Sequence, residues 1–153
     1  MEELLTLLET LTGHLEKLTE LAKQKTITVR KNDLIDLDRI LREEQALALA
    51  LRGLEQKRTA LLQKLGLSEL SLRSLPSAAP EALQQKARNT VEALRNAYQI
   101  YASAADVARN TLECNLHEVE RFLAAAGAPN QEGHGYGNKT VDPPTPMKAD
   151  FRA

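Results

Sequence analysis

Residues 1–22 read Met-Glu-Glu-Leu-Leu-Thr-Leu-Leu-Glu-Thr-Leu-Thr-Gly-His-Leu-Glu-Lys-Leu-Thr-Glu-Leu-Ala, and the positions of the leucines decide the fold. Leu4, Leu8, Leu11, Leu15, Leu18 and Ala22 recur at alternating steps of four and three residues. That spacing lines one side of a 3.6-residue helix, whereas a half-buried strand needs a period of two. Charge agrees with helix polarity. Residues 1–22 carry five acids and one lysine, while Lys23, Lys25, Arg30 and Lys31 follow without an acid among residues 23–31. Acids at the start and bases at the end complement the helix dipole.

Asn32 and Asp33 end this segment, because short side chains that accept from backbone N–H groups favour N-caps, and the apolar period restarts directly after them. The second helix runs to about Leu65. Its predicted seam is Leu34, Leu37, Leu41, Ala48, Leu51, Leu54 or Glu55, Arg58 and Leu61 or Leu62, with Gly66 as C-cap. Residues 67–80 hold serines and two prolines between leucines, a connector whose leucines can cover the end of a bundle.

The third helix starts near Ser77 or Pro80 and continues to Ala126, stopping at Gly127. Its predicted seam is Leu83, Ala87, Val91, Leu94, Tyr98, Tyr101, Ala105, Ala108, Leu112, Asn115 or Leu116, Val119 and Phe122 or Leu123. At 1.5 Å per residue it spans roughly 70 Å, against roughly 45–50 Å for each of the first two, so one end overhangs. An apolar stripe without an intrachain partner calls for another protein or a second copy. Ala97, Ala102, Ala104, Ala105 and Ala108 thin the middle of this helix and let a neighbour approach closely.

Composition supports the same class. Leucine (27) and alanine (21) make up nearly a third of the 153 residues, and five are aromatic, so the side chains that favour strands are scarce. Beyond Gly127, residues 128–153 hold four of the six prolines and no leucine, a composition that cannot hold a packed core. The chain is therefore read as all-α: an antiparallel long-helix bundle or coiled coil of three main helices over residues 1–127, with a disordered C-terminal tail over 128–153.

A net charge of −1 offers no electrostatic attraction to nucleic acid or anionic lipid. The lack of a long apolar run, the acidic N-terminus and the single Cys114 point to a cytoplasmic protein without membrane insertion. His14, His117 and His134 are scattered, and none joins a nucleophile arrangement. Cys114 and His117 share a helix face but lack the further ligands a zinc site requires. No metal, cofactor or catalytic residue is expected. Tyr136, in Gly135-Tyr136-Gly137, is a lone large side chain outside any core, suited to anchoring in a partner's pocket.

The first helix, the break at Lys31-Asn32-Asp33-Leu34, the stretch from Leu41 to Leu47 and the element Gln56-Lys57-Arg58-Thr59-Ala60-Leu61-Leu62 precede a last helix ending Asn115-Leu116-His117-Glu118-Val119-Glu120-Arg121-Phe122-Leu123. With the tail tyrosine, this order resembles the flagellar export chaperone family FlgN over nearly the whole chain. The resemblance implies a non-enzymatic type III export chaperone that holds the disordered C-terminal segments of the hook-filament junction proteins FlgK and FlgL and delivers them to the export gate protein FlhA. It further implies substrate binding by Leu112, Leu116, Val119, Phe122 and Leu123 and gate docking by Tyr136. Ala104 and Ala105 stand where the family pattern leads one to expect an asparagine. Two other readings fit the residues: a coiled-coil scaffold that forms a homodimer through its third helix, and a histidine phosphotransfer protein acting through His14.

Overall fold

The computed structural model describes residues 1–127. Four α-helices occur among them: α1 (Glu2–Arg30), α2 (Leu34–Lys64), the single turn α3 (Leu75–Ala78) and α4 (Glu81–Ala125), with a 3₁₀ turn at Leu72–Ser74 before α3. The predicted all-α class and the three long helices are what the chain forms.

The helix ends are set by local stereochemistry. Asn32 adopts φ 54°, and behind it the Asn32 and Asp33 amides donate to the carbonyls of Val29 (3.1 Å) and Thr28 (3.2 Å). This pair of bonds satisfies carbonyls that a helix end otherwise leaves open. Asp33 then starts the next helix, its carboxylate accepting from the Asp36 amide at 3.1 Å. One residue thus closes α1 and caps α2. At the far end of α2, Gly66 takes φ 69°, and the Gly66 and Leu67 amides donate to Gln63 (3.1 Å) and Leu62 (2.9 Å).

The long helices run up, down and up. Lys25 of α1 reaches Glu44 of α2 at 2.6 Å, and Thr28 donates to Asp36 at 3.2 Å, which makes α1 and α2 an antiparallel hairpin. Between α1 and α4, Glu9 meets Lys86 near one end and Asn32 meets Asn115 near the other, so these two are parallel. Both α2 and α4 pack chiefly on α1.

The central position of α1 explains its burial. All six seam residues predicted from the sequence are buried, and so are Leu7, Leu21 and Thr28 on one flank and Leu5 and Thr19 on the other. More than half of the circumference is covered because two helices lie against it. Thr19 and Thr26 tolerate this, since their hydroxyls donate back to the carbonyls of Leu15 (2.8 Å) and Ala22 (3.1 Å). Alanines line the α1–α4 contact: in the thinned stretch Ala97 and Ala108 are buried and Ala102, Ala104 and Ala105 half-buried, and Ala87 is buried nearer the base.

The core is concentrated at the end where α1 begins. Leu4, Leu5, Leu8 and Leu11 pack with Leu62 of α2, Leu75 of α3, Ala79 and Ala87, with Leu67 and Leu70 of the connector against them. The connector leucines do cover the end of the bundle. Two seam predictions differ from the structure. In α2 the fully buried residue is Ile40, while Leu34, Leu41 and Ala48 face outward, because Asp36 and Glu44 turn toward Thr28 and Lys25 and fix the rotation of the helix. In α4, Tyr98 is exposed and the adjacent Ala97 is buried in its place, while two turns earlier Thr90 is buried and Val91 only half-buried.

Candidate functional site

The packed seam of α4 ends where its neighbours end. Asn115 Nδ2 donates to Oδ1 of Asn32 at 3.3 Å, tying α4 to the α1–α2 turn. Beyond this bond α4 continues for ten residues, Leu116 to Ala125, or roughly 15 Å of helix. Every residue from Leu116 to Ala125 is exposed. The overhang required by the unequal helix lengths is therefore at the C-terminal end.

The apolar period does not stop with the packing. Leu116, Val119, Phe122 and Leu123 are 60%, 46%, 73% and 51% exposed, and they continue the side of α4 that carries Ala97, Ala108 and Asn115 against α1. Leu112 is half-buried and forms the transition. The structure thus brings the five candidate residues onto one end of one helix. Tyr136 lies outside the described residues.

The surroundings of this stripe contain further apolar groups. Leu34 (75% exposed) and Ile35 begin α2, directly after the turn that Asn115 touches. Sequence reasoning placed Leu34 in the core and passed over Ile35; the missed signal is that Ile35 is followed at the helical spacings by Asp38 and Arg39, marking an outward face. Along the opposite flank of α4, an open groove against α1 is lined by Val29, Arg30, Asn32, Asn110, Cys114 and Glu118. Asn115 is the seam asparagine with an interhelical partner, while Asn110 is exposed.

A polar layer sits partway between the core and the overhang. Lys25 of α1 and Glu44 of α2 form a mostly covered ion pair, and Tyr101 of α4 lies near Glu44. Burial, reinforced by the Glu44 and Tyr98 side chains, raises the Tyr101 hydroxyl above its ordinary value against a smaller opposing effect of Arg109. Nearer the turn, hydrogen bonds from Arg39 and then Thr28 hold the Asp36 carboxyl below its ordinary value despite partial desolvation.

The residues considered for chemistry stay apart. His14 Nδ1 donates to the Thr10 carbonyl at 2.9 Å, an ordinary within-helix bond. Cys114 is exposed, and His117 lies 4.0 Å from Glu120. Among the described residues, no group of three or more His, Cys, Asp and Glu side chains is placed to hold a metal ion, and no helix is long and apolar enough to cross a membrane.

The model of the FlgN protein family matches residues 1–141, which is most of the chain. No curated protein and no solved structure matches it significantly.

Proposed function

The chain belongs to the FlgN family of flagellar export chaperones, and on that premise we propose that it is a cytoplasmic, non-enzymatic chaperone for the hook-filament junction proteins FlgK and FlgL. It holds their amphipathic C-terminal segments, which would otherwise aggregate or assemble early, and presents them for type III export. The supporting observation is that the α4 seam continues past its own partners and leaves Leu116, Val119, Phe122 and Leu123 uncovered. A partner helix that packs on such a stripe buries apolar surface on both sides, about 1.5–3 kcal/mol for each large side chain fully covered.

Delivery is assigned to the segment after Gly127. Tyr136, nine residues beyond Gly127, anchors in the cytoplasmic domain of FlhA while α4 holds the cargo. Tethering the two modules on one chain raises the local concentration of the second once the first is engaged.

The test is co-purification of the full chain with the FlgK homologue encoded in the same genome. Val119→Asp with Leu123→Asp is expected to abolish it while leaving the thermal melt unchanged, since both side chains lie outside the core. Undiminished co-purification refutes the substrate assignment. Tyr136→Ala is expected to weaken binding to the FlhA cytoplasmic domain alone, and equal affinity refutes the docking role. Light scattering reads the scaffold alternative: a dimer that the junction protein does not disturb supports self-association instead.

A further inference from the structure

The borders of the exposed α4 stripe are acidic, and this specifies the charge of what lies on it. At 100° per residue, Glu113 and Glu120 fall on one helix row beside Leu116, and Glu118 falls on the other border, one turn before Phe122. His117 and Arg121 fall on the opposite face, away from the stripe. Several other charges in this half of the molecule are paired: Arg39 with Asp36 and Glu43, Arg42 with Asp38, Arg109 with Asp106, and Lys25 with Glu44. Glu113 and Glu118 have no ion-pair partner among the described residues, and Glu120 has only His117 at 4.0 Å, which is charged only when protonated. Arg30 lines the groove that Glu118 borders and Arg109 stands one turn before Glu113, but neither arginine pairs with these glutamates, so both borders of the stripe stay acidic.

We propose that the segment held by this stripe is an amphipathic helix whose apolar row is bordered by lysine or arginine, with Glu113 and Glu120 acting as specificity-determining residues. This rests on the chaperone reading above and adds the chemistry of its cargo. Residues bordering an apolar helix seam set partner choice through opposite charges across it. The same borders disfavour a second copy of this chain as occupant, because two such stripes face to face oppose glutamate with glutamate in either orientation.

The experiment uses the full chain and two synthetic helical peptides with the same apolar row, one bordered by lysines and one by glutamates, followed by fluorescence anisotropy. At low salt the lysine-bordered peptide is expected to bind about 5-fold or more tightly, and the gap to close near 0.5 M salt, where the screening length shrinks to a few Å. Glu113→Gln with Glu120→Gln, both exposed, is expected to remove most of the preference. Equal binding of the two peptides, indifference to the glutamine pair, or failure of both peptides to bind overturns the charge assignment. In the same assay Val119→Asp with Leu123→Asp is expected to abolish both complexes. Unchanged binding there overturns the stripe as the cargo site, whereas loss there without any charge preference leaves the chaperone reading standing and removes only this inference.

Discussion

The base of the bundle and its free end use the same amphipathic pattern and come to opposite states. At the base, Leu4, Leu5, Leu8 and Leu75 are at most 1% exposed, because α1, α2, α3 and α4 meet there. At the free end, Leu116, Val119, Phe122 and Leu123 occupy equivalent seam positions and are left exposed by the described residues. A seam residue therefore becomes core or exposed apolar surface according to how many helices surround it. Stability is concentrated at one end and availability to a partner at the other.

The sharpest way to break this contrast is to truncate one leucine at each end. Leu8→Ala is expected to destabilise by about 2–5 kcal/mol in urea unfolding, and Leu116→Ala by less than about 0.5 kcal/mol. Similar losses at both sites would mean that the overhang is packed in solution. Between the two ends, Glu44→Ala leaves Lys25 mostly covered without its acceptor, and a loss of about 1.5–3 kcal/mol is expected in the same assay. A negligible effect would remove the polar layer as a link between α1 and α2.

Two smaller effects concern how each end is held. Gly66→Ala is expected to lose about 1 kcal/mol: a Cβ there meets nothing within 4 Å, so the whole penalty comes from φ 69°. The corresponding left-handed position of the α1–α2 turn is already an asparagine, so Asn32→Gly should change stability by only a few tenths of a kcal/mol, apart from losing the bond to Asn115. The smallest effect is alkaline. The folded state raises the Tyr101 hydroxyl above its ordinary value of 10.0, so its contribution is complete below that pH and is lost as the pH rises through the folded value. Thermal melts of the wild type should fall more steeply above about pH 10 than those of Tyr101→Phe, and parallel profiles would dissociate this hydroxyl from folding.

Much of the architecture was legible residue by residue. The breaks at Asn32-Asp33, Gly66, Pro80 and Gly127 lie at or next to the observed helix ends, because caps and left-handed turns are decided by the few residues that form them. The rotation of α2 was not legible. Ile40 and Leu41 are adjacent and both apolar, so periodicity leaves the inward face uncertain by 100°, and the choice fell to Glu44 and Asp36, whose partners lie on another helix. Tyr98 was misplaced for a similar reason: an alanine-lined contact draws α1 and α4 close, and the bulky ring is left at the edge. Of the candidate site, the stripe from Leu116 to Leu123 could be read as an apolar period, but the acidic borders gain meaning only once those glutamates are seen to meet no lysine or arginine among the described residues.

The helical character of residues 1–127, the points where the long helices start and stop, and the surplus length of the last one all follow from the order of residues along the chain. These are consequences of short-range sterics, capping and the 1.5 Å rise. That α1 is the central helix, that α2 presents Ile40 and not Leu41, and that the surplus length emerges beyond the α1–α2 turn are set by how the helices pack on one another. Those outcomes depend on contacts between residues far apart in the chain: Leu75, Ala79 and Ala87 share one buried cluster with Leu4 and Leu5 at the base, and α4 runs from there past the α1–α2 turn with its C-terminal turns exposed.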